Sequence, residues 1–269
     1  MSMSKLSRKI MQTLNAILTI AFRDVIKLLR DRPRMMASLI FPAIFIGVLG
    51  TSLQQNLGNN LGYNFLEFVF IGVLAQTLFQ STAAGIISLV EDRQNDFAQE
   101  MFIAPISRYA IICGKILGET LVSLVQIAGV LPLAFLIGVP LDLEGLLRLI
   151  PFVFFISLYG GAFGVLIMSN ISDQRLANQI FPFLLFPQFF LAGVFNPIKE
   201  LPLPILIASR ISPMTYAVDL LRSIYYFGQP EYTETVLFSP FLNLSVIVVV
   251  GFIFMTIGTF LFVRNERNK

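Results

Sequence analysis

The sequence predicts an all-α membrane protein of six transmembrane helices, with an N-terminal interfacial helix, a cytoplasmic helix after the second span and short re-entrant helices before the last. Three observations carry this. The 269-residue chain is 56% hydrophobic and 13% charged with mean hydropathy +0.78, too apolar for a soluble domain. Six long stretches hold almost no charge. The basic residues gather in alternate connections, as cytoplasmic loops require.

Residues 1–34 are basic, and no apolar core of a cleavable signal precedes the first span, so this N-terminus is expected to be retained. Leu14, Leu18, Phe22, Val25 and Leu29 recur every three or four residues, with Arg23, Lys27 and Arg30 on another face. That pattern reads as an amphipathic helix lying in the membrane interface and stopped by Pro33, and Asp24 and Asp31 argue against a targeting presequence.

A transmembrane unit over 35–263 follows, with spans at about 35–53, 65–90, 110–141, 149–172, 176–198 and 235–263, each long enough to cross a core of about 30 Å. With a cytoplasmic N-terminus, fifteen of the nineteen basic residues fall inside, and only Arg148, Lys199, Arg210 and Arg222 lie outside. An even number of crossings then keeps the tail, 264–269, in the cytoplasm.

Residues 199–230 cannot add a crossing. The apolar runs Leu201 to Ser209 and Ile211 to Val218 are nine and eight residues long, far below the roughly 20 a span needs. Pro202, Pro204 and Pro213 suit helix starts, dividing the stretch into two short re-entrant helices joined near Arg210.

On the cytoplasmic side, about 91–105 places Phe97, Met101 and Phe102 on one helical side with Asp96 and Glu100 beside them, and Pro105 ends it. So short a helix is marginal alone, which points to a partner's groove. A helix resting on the bilayer is the alternative, but four acids among its first ten residues would be repelled by anionic headgroups.

Within the spans, Gly114 and Gly118, and Gly160 and Gly164, have the spacing that lets helices approach closely. Glu67, Gln76, Gln80, Glu119, Gln126 and Gln188 are the candidate lining of a translocation path. Both glutamates also suit ordinary interfacial positions near span ends, and the glutamines could equally bond helix to helix.

Several functions are excluded or weakened. The chain has no His and one cysteine, Cys113, so no intramolecular disulfide forms, and neither catalytic nor metal-binding residues are expected. No G-x-x-x-x-G-K-S/T run exists; Gly114-Lys115 is followed by Ile116, and Tyr109 stands where the first glycine belongs. Nothing points to nucleic acid.

The order Gly193-Val194-Phe195, Pro197, Leu201-Pro202, then Ser212 to Arg222 resembles the signature before the last span of ABC-2 type exporter permeases. The acidic segment followed by Pro105 to Arg108 and Gly114-Lys115 resembles the coupling helix of that family, which docks on the ATP-hydrolysing subunit. The resemblance implies ATPase coupling through Asp96, Phe97, Glu100, Met101, Phe102, Pro105 and Arg108. It implies an extracellular gate from Gly193, Phe195, Pro197, Pro202, Pro213, Tyr216, Asp219 and Arg222. It further implies a second permease copy, homodimeric or heterodimeric, in a bacterial plasma membrane, with ATP and Mg on the partner ATPase and no cofactor here. The cargo implied is an amphipathic drug, lipid or lipid-linked glycan. With 27 Phe, 7 Tyr and no Trp, the chain leans toward an apolar or lipid-like substrate, although Phe-rich spans equally suit lipid contact. A proton-coupled secondary transporter using Glu67 and Glu119 is the competing function, and a non-transporting scaffold the third.

Overall fold

The structure, a computed structural model, describes residues 3–57, 62–88, 107–171 and 173–267, and these contain helices and no strand. Helix α1 (Met3–Arg30) is parted from α2 (Arg32–Ile44) by Asp31 alone. α2, which contains Pro42, passes through a π-helical segment (Phe45–Gly50) into α3 (Thr51–Leu57). Then come α4 (Phe65–Gly85), α5 (Arg108–Ile137), α6 (Leu143–Met168) and α7 (Gln174–Leu191). A 3-10 turn (Ile198–Glu200), α8 (Leu203–Ile211), α9 (Pro213–Tyr225), the single turn α10 (Tyr232–Thr235) and α11 (Pro240–Arg267) complete the chain.

Side chains set the helix ends. Asn64 accepts from the Glu67 N–H at the start of α4, Asp142 from the Glu144 and Gly145 N–H groups at the start of α6, and Asp173 from the Arg175 N–H at the start of α7. Gly138, at φ 82°, closes α5 in the left-handed conformation that lets its N–H reach back to Ala134 and Phe135 carbonyls.

Five helices are long and apolar enough to cross a membrane: Met35–Asn56, Phe65–Gly85, Tyr109–Ile137, Leu143–Met168 and Tyr232–Asn265. They correspond to five of the six expected spans, with shifted ends. The other, 176–198, forms α7, whose 18 residues rise about 27 Å and whose first turn carries Arg175. It ends at Leu191, where the chain turns through Ala192 to Pro197. By length and composition the described residues therefore give five spans, with α7 marginal because a polar turn and an early stop cost it the ends of its apolar run.

Helix α4 is the centre. Its side chains, mostly apolar, are nearly all buried, since α5, α6, α9 and the π-helical segment enclose it. Glycines bring the neighbours in. A Cβ on Gly164 would stand 2.6 Å from the Ala83 carbonyl oxygen of α4, and one on Gly258 of α11 2.8 Å from Leu166 N of α6. Layer by layer this puts α6 between α4 and α11.

The N-terminal helix departs from the expected picture. α1 packs lengthwise against the first half of α5, in parallel, with Gly114 against Ile17 and Ile20 and Gly118 against Ala21 and Asp24. Ile20, Ala21, Asp24 and Leu28 are buried, whereas Leu14, Leu18, Phe22 and Leu29, the stripe that periodicity marks, are exposed. Small residues, which permit close approach, choose the packed face; the bulky apolar stripe faces outward.

Candidate functional site

Helix α9 gathers the first polar group. It is amphipathic, starts with Pro213 at its first turn and is wedged among α4, α6, α7 and α11. Arg222, 2% exposed, lays its guanidinium over the Phe68 ring at 3.4 Å and donates through Nη2 to the Val194 carbonyl at 3.1 Å and the Phe68 carbonyl at 3.3 Å. Gly72 makes room: a Cβ there would lie 2.8 Å from Nη2 and 2.7 Å from the Val194 oxygen. Burial pulls the Arg222 pKa down to about 10, which leaves it charged at neutral pH. One turn earlier, Asp219 accepts from the Leu237 N–H at 2.7 Å and from the Phe238 N–H and Asn243 Nδ2 at 2.8 Å, anchoring the start of the last span. Burial raises its pKa, and these donors oppose the rise.

The rest of this end is tied to the same helix. Tyr225 donates its hydroxyl to Glu67 and accepts from the Asp142 N–H at 2.9 Å, joining the starts of α4 and α6. Gln188 Oε1 accepts from Ser212 Oγ at 3.3 Å and Met214 N at 3.4 Å, holding α7 to the α8–α9 junction. Tyr216 donates to the Arg210 carbonyl at 2.7 Å and stacks on Phe238. Gly193, at φ 69°, ends α7, and Phe195 stacks on Phe45 at 4.7 Å. Pro197 caps the 3-10 turn and Pro202 caps α8.

A second group lies between α2, α4 and α5, where Gln76, Gln80 and Gln126 line one cleft of about 340 Å³ with Ser38, Thr77 and Ser81. Gln76 Nε2 donates to Gln80 Oε1 at 3.1 Å. Of the six residues expected along a translocation path, these three are brought together. Glu67, Glu119 and Gln188 stand elsewhere, each with its own partners.

The third group is ionic. Lys115 Nζ lies 2.8 Å from Asp24 Oδ2 and 3.0 Å from Glu119 Oε1, with all three side chains at most 2% exposed. Arg23 Nε lies 3.5 Å from Asp24 Oδ1, which gives the cluster two cations and two carboxylates among the described residues. Glu119 stands eleven residues after the start of α5. Among the described residues no group of three His, Cys, Asp or Glu could hold a metal ion.

Residues 15–226 match the family model described as ABC-2 type transporter. The chain belongs to that family. As an ABC-2 type transporter it is a multi-pass membrane protein, and the match stops one residue past α9, short of the last span. A protein of Cyanophora paradoxa that carries a transport-permease name, ycf38, is 22% identical over 241 residues, 87% of this chain and 83% of that one. Proteins of the same name from Pyropia yezoensis and Porphyra purpurea are 24% and 25% identical, each over 86% of this chain and 80% of their own.

In this ABC-2 chain the expected coupling residues Asp96, Phe97, Glu100, Met101, Phe102 and Pro105 lie outside the described residues, and Arg108 is the first residue of α5. The residues expected to form a gate are all described. They lie at the end of the molecule around α9, where Pro202 and Lys199 are exposed and Asp219 and Arg222 are enclosed. Sequence reasoning missed the ion cluster. The available signals were Asp24 inside an otherwise cationic helix and Glu119 one turn beyond Lys115.

Proposed function

We propose that this chain is the permease subunit of an ATP-driven exporter that moves an amphipathic drug, lipid or lipid-linked glycan out of the cytoplasmic leaflet. The observation that carries the reading is family membership over 15–226 in a chain without a phosphate-binding loop. Hydrolysis then belongs to a separate ABC ATPase, which holds ATP and Mg, and two permease copies face each other above two such subunits. Counting α7, six crossings place both termini in the cytoplasm of a bacterial plasma membrane, in line with the distribution of basic residues. Residues 91–105 receive the stroke of the ATPase. The spans tilt in response, and the α8–α9 pair opens as the outer gate.

The proton-coupled alternative needs a relay through Glu67 and Glu119. Their separation, one bonded to Tyr225 and the other paired with Lys115 in a different cluster, supports ATP drive instead. The test is co-expression with an ABC ATPase subunit from the same source, followed by vesicle transport. Vanadate-sensitive hydrolysis and efflux are expected from the pair and neither from the permease alone. Hydrolysis by the isolated chain, or efflux that follows a proton gradient without ATP, would overturn the reading.

A further inference from the structure

The glutamine cleft has a chemistry of its own. Gln76 and Gln126 are 1% and 8% exposed, yet Gln76 Oε1, Gln126 Oε1 and the neighbouring Ser81 Oγ make no hydrogen bond with any described residue. Gln76 spends one of its two Nε2 hydrogens on Gln80 Oε1 and leaves its own Oε1 unpaired in the wall of the cleft. The polar lining thus holds unmet hydrogen-bonding capacity, in these oxygens and in hydroxyl and amide groups that can also donate. Buried acceptors without donors are costly in a low-dielectric setting, so a purely apolar occupant would leave that cost in place. None of the described lining residues is ionisable, and a charged occupant would lose its hydration without gaining a counter-ion. Phe41, Pro42, Ala37 and Ala84 supply the apolar remainder of the wall. At about 340 Å³ the cleft is of a size to hold a headgroup and the first methylenes of a chain.

We propose that this cleft binds the uncharged, hydrogen-bonding head of an amphiphile, whose hydroxyl or amide groups pair with Gln76 and Gln126. The inference rests on the exporter reading only in making this head a feature of the cargo; the binding itself requires the permease alone. It narrows the cargo to neutral amphiphiles. The alkyl part follows the apolar wall between α2 and α4, and selection falls on headgroup charge rather than on chain length.

The chain has no tryptophan, so Phe41→Trp introduces a single fluorophore into the wall. Full-length protein carrying it is placed in nanodiscs and titrated, below their micelle concentrations, with octyl glucoside, octyl sulfate and octyltrimethylammonium. Octyl glucoside should give a saturable change in indole emission, with the two charged probes at least about tenfold weaker. Gln76→Leu and Gln126→Leu should each weaken the glucoside response by about fivefold, the loss of one hydrogen bond. Equal responses to all three probes, a response that never saturates, or full binding in both leucine variants would overturn the proposal. The comparison of probes on unaltered glutamines stands even if a variant fails to fold. If glucoside binds but ATP drives no efflux, the exporter reading falls and the site remains. If efflux runs at full rate in both variants with no preference for neutral cargo, the site falls and the exporter remains.

Discussion

Gly85, the last residue of α4, lies directly against the carboxylate of Glu119, so that a Cβ built on Gly85 would overlap that carboxylate. Glu119 cannot simply swing away, because Lys115 holds it at 3.0 Å in a buried cluster. Alanine usually stabilises a helix over glycine by about 1 kcal/mol, but here the sign reverses. Gly85→Ala should cost about 1–3 kcal/mol. In a double-mutant cycle most of that loss should vanish in the Glu119→Ala background, read as retention of the monodisperse peak after heating; additive losses would show that the two residues do not meet.

Removing Lys115 takes away the cation that sits between two enclosed carboxylates. Lys115→Met is expected to destabilise by about 3–5 kcal/mol. The triple variant Asp24→Asn, Lys115→Met, Glu119→Gln, which removes all three charges together, should recover a large part of it. Heat-challenge chromatography of both proteins checks this, and equal losses would mean that packing, not charge, sets the cost.

At the other end, Gly72→Ala would press on the Val194 backbone as well as on Arg222, and a backbone cannot move as a side-chain tip can. A loss of about 1–3 kcal/mol follows. Because Val194 belongs to the turn after α7, faster proteolysis within 192–202 is the specific sign.

Asp219→Asn keeps the size of the side chain but turns an NH₂ toward groups that are themselves donors: Leu237 N–H on one oxygen, Phe238 N–H and Asn243 Nδ2 on the other. It also removes the carboxylate nearest the Arg222 charge. About 1–3 kcal/mol is expected, with amide exchange quickened at 236–243. Unchanged exchange there would show that other contacts hold the start of α11.

The spans were legible because a run of about twenty apolar residues is a one-dimensional signal. What remained hidden was which face of each helix meets protein, since lipid and core favour the same side chains. Periodicity picked Leu14, Leu18 and Phe22 in α1, but the packed face is drawn by Ala21 with Gly114 and Gly118. At the candidate site, Gln76 and Gln80 are one helical turn apart and could be paired by eye; Gln126 joins them only through the packing of α5. Asp219 and Arg222, three apart, suggest a pair with each other, whereas each spends its hydrogen bonds chiefly on backbone of other elements. The Asp24–Lys115 contact joins residues 91 apart, so no spacing in the sequence links them, although Asp24 is out of place in a cationic helix.

That same distance has a meaning for synthesis. Asp24 is joined to the chain long before Lys115 is; at about 5–20 residues per second the interval is roughly 5 to 20 seconds. During it, the N-terminal helix has an acid on the face it will later bury and no cation on α5 to meet it. The nascent chain must therefore keep α1 in a wet or lipid-headgroup environment until the third long helix emerges, and only then can the first-made segment take the last of its final contacts.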